Sequence, residues 1–167
     1  MGMHKRILSL LSLPMVLCVL VFALNGCNPF IGRDPRITPS RWPVAFTSPP
    51  VSSSYGIRFD PLGKGIRHHD GIDIAVDTGT CVYATADGRV IFAGADNGLG
   101  KYVKIDHGDE LYTYYGHLSK TVVKEGDNVR RGQLIAYSGN TGRTTGDHLH
   151  YQIKYRGSNV NPKWTLP

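Results

Sequence analysis

The rhythm of apolar and polar positions changes twice along the chain. From Ile7 to Leu24 the residues are almost continuously apolar, broken only by Ser9, Ser12 and Pro14. From Cys27 to about Phe46 the pattern lapses, with Pro29, Pro35, Pro39 and Pro43 set among scattered charges. From Thr47 onward, short runs rich in Val, Ile, Tyr and Thr alternate with turn signals such as Ala86-Asp87-Gly88, Asp96-Asn97-Gly98 and Gly139-Asn140-Thr141-Gly142. Branched and aromatic side chains suit a pleated, half-buried surface, whereas Gly, Asn and Asp interrupt it. The runs predict strands over 81–84, 89–93, 102–107, 111–117, 133–138 and 149–155. No long amphipathic helix and no internal repeat is visible in this part. The expectation is one mainly β domain over residues 47–167, an antiparallel sheet or sandwich-like fold.

The first apolar run reads as an address. Lys5 and Arg6 precede it, and Leu24-Asn25-Gly26-Cys27 closes it. That layout is an export signal, and its end looks like a bacterial lipobox: a branched apolar residue, a small residue at the cleavage point, then cysteine. Residues 1–26 are therefore expected to be a lipoprotein signal peptide, with Cys27 lipidated. Several acyl chains, at about 0.8 kcal/mol per buried methylene, hold a protein firmly on a membrane. Residues 27–46 are then an extended, Pro-rich tether; about 20 residues at roughly 3 Å each carry a domain several tens of ångströms from the bilayer. Asn28 follows the cysteine where Asp would resemble an inner-membrane retention signal. The expected place is the cell envelope, and in a Gram-negative host the outer membrane facing the periplasm.

Composition adds two exclusions. Removing a leader that carries Lys5 and Arg6 lowers the formal net charge from +6 to +4. The remaining excess forms no basic cluster and does not interleave with aromatics, so nucleic-acid binding is not expected. Of three cysteines, Cys18 lies in the leader and Cys27 takes lipid, leaving Cys81 alone. One thiol forms no internal disulfide, and Cys81 reads as a core residue.

Candidate chemistry lies in three histidine groups. In His68-His69-Asp70-Gly71-Ile72-Asp73, His69 and Asp73 are an even number of residues apart and share a face on extended chain. In His148-Leu149-His150 the two histidines share one face, with Leu149, Tyr151 and Ile153 on the other. The third group is Tyr115-Gly116-His117-Leu118. Two imidazoles and one carboxylate make the three-ligand set of a catalytic zinc, with one position open for water. Two further histidines are then free to move protons. Spacing does not choose which three bind. His68 and His107 are expected to be structural, and no His-Glu-x-x-His helix is present.

Taken in order, Ser54-Tyr55-Gly56-Ile57-Arg58, His69-Asp70-Gly71-Ile72-Asp73, Thr78-Gly79-Thr80, Tyr115-Gly116-His117-Leu118-Ser119, Gly132-Gln133, Ser138-Gly139-Asn140-Thr141-Gly142 and His148-Leu149-His150 resemble the lysostaphin-type (LytM) zinc metallopeptidases, which are peptidoglycan endopeptidases. The resemblance runs from about Val51 to Pro162. It implies one zinc ion per domain held by His69, Asp73 and His150, with His117 and His148 as the catalytic histidines. It also implies an antiparallel sheet with the metal in a groove walled by loops. The implied substrate is a peptide cross-link or stem of peptidoglycan. Some relatives have lost ligands and act instead by binding the wall or activating a wall amidase, so an envelope amidase or divisome partner is the alternative expectation. Two departures stand out: Asp147 where the family usually has Pro, and Gln152 where Glu is common.

Overall fold

A computed structural model describes residues 29–30, 32–60, 63 and 65–167. The expected leader and the lipidated Cys27 lie outside the described residues. Two compact units are distinguished, Met1–Ile31 and Gly32–Pro167, and every strand among the described residues falls in the second. Among the described residues no helix is long and apolar enough to cross a membrane.

The chain runs through β1 (Val51–Ser53), β2 (Gly56–Phe59), β3 (Ile66–His69), β4 (Ile72–Ile74) and β5 (Cys81–Tyr83). It continues through β6 (Gly88–Asp96), β7 (Gly100–Asp106), β8 (Leu111–Leu118) and β9 (Lys120–Thr121). After these come β10 (Asn128–Val129), β11 (Leu134–Tyr137), β12 (Leu149–Tyr155) and β13 (Ser158–Val160). Each long predicted strand is present, and 149–155 has its predicted bounds. The main sheet is antiparallel in the order β1-β4-β12-β8-β7-β6-β10, with β13 on β12. A three-stranded sheet, β5-β11-β9, and a separate β2–β3 hairpin complete the fold. The mainly β, antiparallel expectation holds.

Alternation sets the faces of β12. Leu149, Tyr151 and Ile153 are fully buried with Ile72, Ile74, Val103, Ile105 and Tyr115, while His150 emerges on the opposite face. Burial of one face fixes the register, since a slip by one residue would exchange core and solvent. Within the core a polar chain links the elements. His107 Nε2 lies 2.7 Å from Thr113 Oγ1, Thr113 Oγ1 donates to Tyr115 OH at 3.1 Å, and Thr85 Oγ1 lies 3.0 Å from Tyr115 OH and 2.9 Å from Tyr151 OH. Thr85 follows β5, so the chain ties the small sheet's segment to the inner face of the large one. His107 is thus a buried structural histidine, as expected. Cys81, expected in the core, is only half-buried on β5.

Part of the segment expected to be an extended tether, from Arg36 to Val44, lies against the domain. Tyr83 N–H donates to Pro43 O (2.8 Å), Ser40 N–H to Thr85 O (3.3 Å) and Asp87 N–H to Arg36 O (2.9 Å). Trp42 and Val44 are buried, and Trp42 Nε1 donates to Pro167 O at 3.1 Å. The physical reason lies in β5, whose outer edge would otherwise expose unpaired backbone groups. A Pro-rich strip lacks some N–H donors but keeps its carbonyls, and two of the three bonds here, at Pro43 O and Arg36 O, use them.

Candidate metal centre

His69 and Asp73 do not lie on one strand. The chain bends at Asp70-Gly71, leaving the β2–β3 hairpin and entering the main sheet at β4. The close approach needs glycine: a Cβ on Gly71 would collide with Tyr151 O and sit 3.0 Å from His150 Cε1. The bend delivers His69 from one sheet and Asp73 from another to the same point. Asp73 is then a Cα partner of His150 across β4 and β12.

Three atoms converge there. Asp73 Oδ1 lies 2.9 Å from His150 Nδ1 and 3.1 Å from His69 Nε2, and His69 Nε2 lies 3.1 Å from His150 Nδ1. All three residues are buried. Ligand atoms of a tetrahedral zinc, at bonds of 2.0–2.1 Å, stand roughly 3.3 Å apart, so the spacing suits such an ion. The tautomers point the same way. His69 Nδ1 is 3.0 Å from Ser54 O, and a carbonyl only accepts, so the ring N–H is on Nδ1 and the Nε2 lone pair faces Asp73. Two acceptors 3.1 Å apart repel unless a cation lies between them. Among the described residues this is the group of His, Cys, Asp and Glu arranged to hold a metal; Cys81 is not part of it.

Burial alone would push the Asp73 carboxyl up, but the adjoining His150 and His69 imidazoles outweigh it and hold the group well below the usual carboxylate range. It is an anion at any physiological pH. Arg58 on β2 approaches its outer oxygen, with Nη2 3.5 Å from Oδ2.

His117 and His148 face the same groove. His117, next to last in β8, has φ +59°, a left-handed conformation that costs a residue with a Cβ about 1–2 kcal/mol. Its N–H donates to Leu99 O at 2.7 Å. The turn brings its ring 4.7 Å from that of His148, centroid to centroid, and 5.8 Å from that of His150. His117 Nδ1 donates to Thr141 O at 2.8 Å and His148 Nδ1 to Gly146 O at 2.8 Å. Both rings therefore carry their N–H away from the groove and turn Nε2 into it; His148 Nε2 is 3.6 Å from Asp73 Oδ1. Burial pushes His117 down to about 4, with neighbouring His148 and His150 adding to the fall.

All five predicted site residues thus line one groove of about 560 Å³. His68 is at its rim, paired with Asp70 at 3.0 Å. Asp147, the departure beside His148, does not line the groove. Hydrogen bonds from Thr78 hold its carboxyl below the ordinary value, with Thr78 N–H at 3.2 Å. Gln152 lines the groove and donates to Asn159 Oδ1 at 2.8 Å. The orienting carbonyls of Ser54, Thr141 and Gly146 were not foreseen, because any residue type supplies a carbonyl. Arg58 stood inside a quoted motif without a role.

Comparison with known proteins gives the family. Residues 67–162 match the model of Peptidase family M23. The peptidoglycan DD-endopeptidase ShyA of Vibrio cholerae is 45% identical over 124 residues, which cover 70% of this chain and 29% of ShyA. The murein hydrolase activator NlpD of Escherichia coli is 40% identical over 126 residues, covering 72% of this chain and 33% of NlpD. This chain thus spans less than a third of the length of ShyA. Among solved structures, a zinc-containing peptidase from Vibrio cholerae superposes with a TM-score of 0.69 at 38% identity, covering 74% of this chain and 39% of that one.

Proposed function

The chain belongs to peptidase family M23, and from that premise we propose that it is a zinc-dependent endopeptidase that hydrolyses peptide cross-links or stems of bacterial peptidoglycan. His69, Asp73 and His150 hold the zinc; His117 and His148 are the catalytic histidines. The observation that carries this reading is the facing of the His69 Nε2 lone pair and the Asp73 carboxylate at 3.1 Å, beside two further imidazoles that turn Nε2 toward the same space.

When bound, zinc supplies a Lewis acid that polarises a carbonyl and makes water nucleophilic near neutral pH. The chain's own residues do the rest. Ser54 O fixes the His69 ring, as outer-sphere partners fix ligating imidazoles generally. One of His117 and His148 takes a proton from the attacking water at Nε2. The other, at its own Nε2, hydrogen-bonds the developing oxyanion or protonates the departing amine. The carbonyls of Thr141 and Gly146 hold both rings in the tautomer this needs.

We place the protein in the cell envelope, with residues 1–26 as leader and Cys27 as lipid anchor; mass spectrometry of the mature N-terminus tests this. The similarity to an activator of murein hydrolases supports a second reading, in which the groove binds the wall and the domain activates an amidase. Purified protein of measured zinc content, incubated with isolated sacculi with and without chelator, separates the two. Release of soluble muropeptides that stops with chelator, and with Asp73→Ala or His150→Ala, is the expected result. Stoichiometric zinc with no cleavage, but stimulation of an added amidase, would favour the second reading.

A further inference from the structure

Arg58 on β2 and Arg67 on β3 are Cα partners in the hairpin, so their side chains leave the same face. That face lines the groove, while Ile57, Phe59 and Ile66 lie exposed on the other. Like charges directly opposite each other on an antiparallel pair repel and weaken it. The acids that share the groove are already engaged. Asp60 accepts from Arg143 at 2.7 Å, Asp70 pairs with His68 at 3.0 Å, and Asp96 accepts from the N–H groups of Gly98 and Leu99 at 2.8 and 2.7 Å. Arg58 reaches Asp73 only at 3.5 Å. None of the ion pairs among the described residues involves Arg67.

We propose that Arg58 and Arg67 form a carboxylate-binding subsite on the groove wall, taking a free carboxylate carried by the peptide substrate close to the bond that is cut. The inference rests on the peptidase reading and narrows its substrate. Two guanidiniums presented side by side match a carboxylate by paired, charge-assisted hydrogen bonds. Position follows from Asp73, which offers one oxygen to the metal cluster and the other to Arg58. A carboxylate held at Arg58 therefore sits roughly one or two residue lengths, at about 3.5 Å each, from the scissile carbonyl. Peptides that satisfy this carry a terminal carboxylate next to the bond, or a diamino acid joined through its side-chain amine and keeping its own carboxylate. A bridge made only of glycine, uncharged along its length, does not.

The test is binding rather than turnover. Zinc-loaded protein is titrated with N-acetyl-D-alanine and with its amide, followed by NMR shift changes or calorimetry. The acid is expected to bind about tenfold tighter than the amide, with the preference shrinking as salt rises. Arg67→Gln lowers the acid-to-amide ratio toward one at unchanged zinc content, and Arg67→Lys restores it only in part, since it lacks the planar fork. A carboxylate that binds the metal instead keeps its preference in Arg67→Gln, and that result overturns the proposal. So does equal binding of acid and amide, or no binding of either. Because the readout is independent of cleavage, an intact acid preference without sacculus digestion sinks only the peptidase reading. Digestion without acid preference sinks only the subsite.

Discussion

Asp73 and His150 are 77 positions apart in sequence, yet they are Cα partners across β4 and β12, and their side chains meet at 2.9 Å. The register that pairs their backbones is set on the other face of the sheet, where Ile72, Ile74, Leu149 and Tyr151 are fully buried. Core packing and ligand geometry are thus one constraint read from two sides.

Gly71 transmits that constraint to the third member of the cluster. Replacing it with alanine places a methyl against Tyr151 O. Gly71→Ala is expected to cost about 1–3 kcal/mol of stability and to weaken zinc binding, because His69 is displaced relative to the sheet. Thermal unfolding with and without zinc, together with zinc titration by a competing chelator, reads both effects. Wild-type zinc affinity in this variant would show that the bend does not position His69.

His117 and His148 should separate from the ligand set. His117→Ala and His148→Ala are each expected to slow muropeptide release by at least about a hundredfold while zinc content stays near one per chain. Loss of zinc in either variant would make that histidine a ligand and remove it from proton transfer.

His107 predicts a pH dependence of stability. Burial lowers its pKa below the ordinary value of 6.5, against the opposing hydrogen bond that its Nδ1 donates to the Asp87 carbonyl. Above that unfolded value the ring is neutral in both states, and folding is not penalised. As pH falls below about 6.5, the unfolded chain takes up a proton that the buried ring refuses, so stability drops until the lowered folded value is reached. His117, pushed down to about 4, acts in the same direction. The difference between wild type and His107→Gln isolates the first group: denaturant unfolding between pH 8 and pH 5 should give a shallower fall for the variant. Parallel curves would contradict the assignment.

Thr85 Oγ1 links the hydroxyls of two tyrosines that are already Cα partners across β8 and β12, with ring centroids 5.4 Å apart. Thr85→Val leaves the buried Tyr151 hydroxyl without the Thr85 Oγ1 partner at 2.9 Å. The expected cost is about 1–3 kcal/mol. Adding Tyr151→Phe should recover part of it, because an apolar ring needs no partner there. A double-mutant cycle measures this, and strict additivity would show that the bond contributes nothing.

Much of this protein is local in origin. The alternation in 149–155 and the turn residues between runs fix which segments are strands, because a period of two and a Gly-Asn-Asp break are properties of a few neighbouring residues. The histidines and Asp73 were readable as chemistry for a similar reason: imidazole and carboxylate have few uses in an ordered set of this kind. The pairing of Arg36, Ser40 and Pro43 with the domain was not legible, because prolines signal extended chain equally well when it is free and when it lies along an edge.

Sequence alone therefore determined the long strands, the inward face of 149–155 and the inventory of ligand-type side chains. Only the tertiary structure decided that His69 comes from a hairpin and Asp73 from the main sheet. It alone set which ring nitrogen faces the cluster, and that Arg58 and Arg67 stand opposite each other beside it. These depend on pairings between segments far apart in the chain and on backbone carbonyls that every residue possesses. Neither leaves a mark in the order of side chains.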